Sequence, residues 1–113
     1  MKTIIAGGRT VINPILLLEA VNIAGFTITE VVCGKARGAD TLGEEWAKER
    51  NIPITYFPAD WEKYGKSAGF IRNAQMADHA EALIALWDGS SKGTGNMIEL
   101  AKKKGLKIYI HYI

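Results

Sequence analysis

Short apolar runs of strand length alternate along this chain with longer stretches whose apolar residues recur at helical spacing. That alternation constrains the fold more than any other feature, because a parallel strand needs a crossover connection, and an amphipathic helix must bury its apolar stripe on the sheet. Five strands are predicted, at residues 3–6, 29–33, 54–57, 82–87 and 107–111. Asn13 followed by Pro14 reads as a cap and first helical residue, opening a helix that runs to Ala24 and stops at Gly25. Further helices are predicted at residues 40–50, 70–79 and 93–104, whereas PADWEKYGKSAG, residues 58–69, has no clear period and reads as a long connection. The expected fold is α/β: one Rossmann-like, three-layer α/β/α domain over residues 1–113, with a mainly parallel five-stranded sheet in the order 3-2-1-4-5.

Composition narrows the function classes. With 48% hydrophobic residues, a chain of 113 residues can fill one core and has no room for a second domain. Fourteen basic residues oppose 12 acidic ones, so no chain-wide field favours nucleic acid or an anionic membrane. The first residues, MKTIIAGGRT, are too short an apolar run for a signal or a span. Cys33 is the only cysteine, which excludes an internal disulfide, and His79 and His111 have no ligand partners at metal spacing. A cytoplasmic protein with no membrane partner, metal or cofactor is expected.

In an open parallel sheet, ligands bind beyond the carboxyl ends of the strands. The residues expected there are Gly7, Gly8 and Arg9 after the first strand, Gly34, Arg37, Gly38 and Asp40 after the second, Arg72 and Asn73 beyond the long connection, and Asp88 with GSSKGTG after the fourth. Of the four arginines, Arg9, Arg37 and Arg72 fall on this edge, and only Arg50 sits at a helix end where the macrodipole accounts for it. A guanidinium matches phosphate through paired hydrogen bonds, so arginines beside glycine turns suit a nucleotide or sugar phosphate, with surface ion pairing as the alternative; each glycine turn alone is more often a tight βα connection. Gly93, Thr94 and Gly95 open the fourth predicted helix, where free N–H groups and a hydroxyl at the positive dipole end form an anion site; the same residues also serve as an ordinary helix start. No Walker A loop and no G-x-G-x-x-G follows the first strand.

AGGR (residues 6–9), VVCGKARGAD (31–40), FPADW (57–61), AGFIRNAQMAD (68–78) and WDGSSKGTGNMI (87–98) together resemble the YspA-like branch of the SLOG superfamily, almost end to end. The resemblance implies a Rossmann-like domain with a site for nucleotide-like ligands, related to the Lonely Guy phosphoribohydrolases, the DprA/Smf DNA-processing proteins and sensor domains of antiphage systems. It also implies a homodimer or homotetramer. In the Lonely Guy motif PGGxGTxxE the glutamate assists cleavage of an N-glycosidic bond; Gly93-Thr94 matches the GT, but Met97 stands at the glutamate's place. Glu99 is two residues on, a rotation of roughly 200°, and cannot replace it.

Three functions follow in order of expectation. The first is a binding domain, sensor or sequestering protein, for a nucleoside monophosphate, an ADP-ribose-like molecule or a cyclic nucleotide, with Trp61, Asn73 and Asp88 at the base or ribose. The second is an N-glycosidic hydrolase of nucleoside monophosphates that uses another carboxylate, drawn from Asp60, Glu62, Asp40 and Asp88. The third, single-stranded DNA binding, needs a basic groove that near-neutral charge does not favour, so nucleic acid is not the expected partner.

Overall fold

The computed structural model describes residues 1–113, and its sheet has five parallel strands in the order β3-β2-β1-β4-β5. The strands are β1 (Lys2–Gly7), β2 (Glu30–Cys33), β3 (Ile54–Tyr56), β4 (Ala82–Trp87) and β5 (Lys107–Tyr112). The helices are α1 (Pro14–Ala24), α2 (Ala39–Glu49), α3 (Trp61–Tyr64), α4 (Ala68–His79) and α5 (Lys92–Lys103). Both expected ends of α1 are present: the Asn13 side chain accepts a hydrogen bond from the Ile15 amide, and Gly25 closes the helix at φ 67°.

The two sheet faces divide the core. Ile5, Val31, Ile84 and Leu86 pack with Leu17 and Ala20 of α1 and with Leu42, Trp46 and Ala47 of α2. Ile4, Val32, Leu83 and Ala85 pack on the opposite face with Met76 and Ala77 of α4 and with Met97, Ile98 and Ala101 of α5. Neighbouring residues of β1 and β4 thus serve different layers, as the two-residue period of a strand buried on both sides requires. Because the chain leaves β1 toward β2 on one side and returns to β4 on the other, the connections diverge beyond the β1 and β4 carboxyl ends and leave a crevice.

One stretch differs from its sequence reading. Residues 58–69 are not an aperiodic connection: they hold α3, a 3₁₀ turn at Gly65–Ser67 and the first residues of α4, which starts at Ala68 rather than Phe70. A four-residue helix is barely one turn, too short to impose a period on the sequence. No helix is long and apolar enough to cross a membrane.

Candidate functional site

The site begins where two loops are tied together. The Gly8 carbonyl accepts from the amides of Val11 (3.2 Å) and Ala39 (3.3 Å), which fixes the turn after β1 to the start of α2. Gly38 makes this approach possible. Its φ is 74°, and a Cβ there would lie 2.3 Å from the Gly8 carbonyl oxygen and 2.6 Å from the Arg9 backbone.

Arg72 and Asn73, adjacent on α4, join two further segments, the turn after β2 and the start of α5. Arg72 donates from Nη1 to the Gly34 carbonyl and from Nε to Asn73 Oδ1 (3.1 Å). Asn73 Nδ2 donates to the Gly93 carbonyl (3.2 Å) and to Asn96 Oδ1 (3.0 Å). Both Asn73 donors are therefore engaged within the protein, and the side chain holds α4 against the start of α5. Beneath Arg72, Asp40 is buried and accepts from the Ala36 amide (3.0 Å). Burial pushes its carboxyl above the ordinary range, opposed by that hydrogen bond and by the Arg72 charge. A Cβ on Gly34 would sit 2.7 Å from Arg72 Nη1 and 2.9 Å from Asp40 Oδ2, so this residue has no room for a side chain. Cys33 beside it is buried, its thiol pushed up to about 11 chiefly by burial, and is a packed, protonated residue.

Above these residues lies a cleft of about 510 Å³ walled by Gly7, Gly8, Arg9 and Thr10 after β1, by Asp40, Trp61 and Lys66, by Phe70, Arg72 and Asn73 of α4, and by Ser91, Lys92, Gly93 and Thr94. A second lobe of about 580 Å³ shares Arg9, Ala36, Trp61 and Arg72 with the first and extends over Gly34, Lys35, Arg37 and Pro58. Arg9, Arg37, Lys66 and Lys92 form no ion pair, and Asp40 is the one carboxylate among the wall residues of either lobe. The N-cap of α5, Ser91, makes no side-chain capping bond; its hydroxyl lies 3.2 Å from Asp88 Oδ2 instead. The first turn of α5, which walls the cleft, is thus left without a side-chain cap for its N–H groups.

Several residues singled out from the sequence stand elsewhere. Asp88 lines neither lobe: Oδ1 accepts from the amides of Ser91 (2.8 Å) and Ser90 (2.9 Å), building the turn into α5, and these bonds hold its carboxyl below the usual range. Asp60 caps α3 by accepting from the Lys63 amide (3.1 Å), and neither it nor the exposed Glu62 lines a lobe. Gly38 and Gly95 also stand behind the walls, Gly95 against the Trp87 ring. Met97, at the place of the hydrolase glutamate, is 1% exposed in the core. Gly7, Gly8, Asn73, Gly93 and Thr94 are brought together on the first lobe, Gly34 and Arg37 on the second, and Arg9, Trp61 and Arg72 on both.

Thr10 follows Arg9 on the loop where the sequence places ligand contacts, whereas Lys66, Phe70 and Lys92 were missed. Lys92 was visible between the serines and glycines of the fourth loop, but nothing marked it apart from other surface lysines. Lys66 and Phe70 become wall residues only through the turn at Gly65–Ser67 and the early start of α4, which carry no period.

Residues 1–64 match the model of the YspA, cpYpsA-related SLOG family. The Gene 61 protein of Mycobacterium phage D29 is 37% identical over 84 residues, covering 69% of this chain and 67% of that protein. The uncharacterized SPbeta prophage-derived protein YoqJ of Bacillus subtilis strain 168 is 53% identical over 51 residues, 45% of this chain but only 25% of YoqJ, so most of that protein has no counterpart in the match.

Proposed function

This chain belongs to the YspA, cpYpsA-related SLOG family, and from that premise we propose that it binds a nucleotide or nucleotide-derived signal in the cleft beyond β1 and β4. Family membership points to nucleotide-related binding or hydrolase-like roles. One observation carries the choice of binding: unpaired cations wall the same cleft as the uncapped start of α5, while the one carboxylate in the wall is buried and already hydrogen-bonded. Phosphate fits this arrangement, because N–H groups at a helix start and cationic side chains supply donors that an anion lacks. Arg9, Lys92 and the backbone of Gly93 and Thr94 are assigned to the phosphate, with Trp61 and Phe70 offering aromatic faces to the base.

Nucleoside monophosphates, ADP-ribose-like molecules and cyclic nucleotides all carry this chemistry. A sensor or a sequestering protein in the cytoplasm, the host's if the chain is phage-encoded as its relatives are, would use it in the same way. Hydrolysis of an N-glycosidic bond is the second reading, and one observation favours keeping it: Asp40 lines the cleft and burial raises its carboxyl above the ordinary range, the direction of shift that a general acid uses. The partner we propose on the protein side is a second copy, seated on the outer face of α1.

Titration calorimetry with nucleoside monophosphates, ADP-ribose and cyclic nucleotides, followed by chromatography of the mixtures, tests the proposal. Saturable binding of intact ligand is expected, with Arg9→Ala and Lys92→Ala each costing about 1–3 kcal/mol of affinity. Absence of binding by all of these ligands refutes it. Released base that disappears in Asp40→Asn replaces binding alone with hydrolysis.

A further inference from the structure

The second lobe is itself an anion subsite. We propose that the ligand carries two separate anionic groups, one in each lobe, with the nucleotide bridging across Arg9, Trp61 and Arg72; the chemical class is a nucleoside bisphosphate or a dinucleotide rather than a monophosphate. This inference rests on the nucleotide reading of the first lobe and adds a second phosphate to it.

The charges of the second lobe support a second anion. No carboxylate lines it, whereas Arg9, Lys35, Arg37 and Arg72 do. Lys35 is neutralised by Glu44 at 2.9 Å, and Arg72 donates to the Gly34 carbonyl and to Asn73. Arg9 and Arg37 are left without an acidic partner, and Arg37 walls the second lobe alone. Cations gathered on one concave surface without counter-charge repel one another, and a bound anion removes that repulsion.

The turn carrying Arg37 is also built in advance. Lys35 is held at φ 60°, a left-handed conformation that a residue with a side chain seldom adopts. Three contacts hold the turn: the Lys35 amide to Cys33 Sγ (3.4 Å), the Lys35 ammonium to Glu44 (2.9 Å), and the Ala36 amide to Asp40 (3.0 Å). Non-glycine residues kept in this region cluster at ligand sites, and a turn fixed before binding loses less entropy when the ligand arrives.

Size agrees with charge. Each lobe, at about 510 and 580 Å³, lies within the range of a small-molecule site, so each has room for a phosphate-bearing part of one ligand. The lobes share Arg9, Ala36, Trp61 and Arg72, which sets them side by side, and a bridging molecule would pass over those residues.

The test compares adenosine 5′-monophosphate, adenosine 3′,5′-bisphosphate, the 5′-phosphorylated dinucleotide pApA and a ten-nucleotide oligothymidylate by calorimetry at fixed ionic strength. At least one of the two-anion nucleotides should bind tenfold or more tighter than the monophosphate, and which one does distinguishes bisphosphate from dinucleotide chemistry. In Arg37→Ala that advantage should collapse to within about twofold. Equal affinities for all three nucleotides, or an advantage that survives Arg37→Ala, overturn the second subsite while leaving the nucleotide reading intact. Failure of every nucleotide to bind overturns both, and tighter binding of the oligothymidylate than of either two-anion nucleotide assigns the cationic surface to single-stranded DNA instead.

Discussion

Glu44 shows how much the region beside the cleft depends on one side chain. Residing on α2 and almost buried, it pairs with Lys35 and Lys48 at 2.9 Å each and accepts from the Tyr56 hydroxyl at 2.9 Å. Hydrogen bonds from Lys48 and then Lys35 outweigh burial and hold its carboxyl near 2, against an ordinary value of 4.5. A depressed folded value means that the stabilisation is complete above pH 4.5 and is lost as pH falls from there toward 2. Glu44→Gln should therefore lower stability at pH 7 by about 1.5–3 kcal/mol, the range for hydrogen bonds to a charged group, and flatten the acid limb of the stability curve. Urea melts of both proteins between pH 2 and 7 measure this; parallel acid limbs would contradict it. Asp40, raised by burial, slopes the other way in both proteins, so the difference isolates Glu44. At this scale the arginines were legible because arginine is rare in the chain and three fall on one edge. The role of Asn73 was not, since its partners Gly93 and Asn96 lie 20 and 23 residues away, and no local spacing announces a clamp made by folding.

At the scale of elements, the sheet and the long helices were readable because each carries a distinct run, period or terminator: a continuous apolar run of strand length in β1 and β4, Asn13-Pro14 before α1, Gly25 after it. Helix α3 had only a cap to identify it, and its Asp60 was considered for catalysis instead. It carries Trp61, 53% exposed and shared by both lobes, so the cap bears on the site indirectly. Asparagine caps a helix as well as aspartate does, whereas alanine does not. Asp60→Ala should cost about 0.5–2 kcal/mol of local helix stability and weaken nucleotide binding through a looser Trp61, while Asp60→Asn retains both. Hydrogen exchange of the Lys63 amide and the quenching of Trp61 fluorescence by ligand report the two effects. If Asp60→Asn abolishes turnover or binding as fully as the alanine variant, the carboxylate charge matters and the capping account fails.

For the whole molecule, the surface is uneven in a way that bears on assembly. The outer faces of α2, α4 and α5 expose charge, including Glu45, Lys48, Glu49, Asp78, Glu99 and Lys102. Helix α1 and the loop before it expose Ile12 (76%), Ile15 (57%), Leu18 (46%) and Ile23 (60%), and the helix has one charged residue, Glu19, which lies 3.4 Å from His111. Four exposed large apolar side chains on one helix and its lead-in are uncommon on a lone small domain. With Glu19 as its single charge, this face carries fewer charges than the other helices, which is the basis for proposing a second copy, related by a twofold axis, as its partner. The face lies on α1, on the opposite side of the sheet from α4 and α5, so assembly through it leaves the cleft walls from those helices uncovered. Under twofold symmetry each substitution is present twice, so Leu18→Lys removes two apolar contacts of about 1.5–3 kcal/mol each and sets two ammonium groups in the interface. Light scattering after size exclusion at about 50 μM should find a dimer or tetramer for the native chain and a monomer for the variant, with nucleotide affinity unchanged in the monomer. A native chain that elutes as a monomer, or a variant that stays assembled, would show that this face is not where the copies meet.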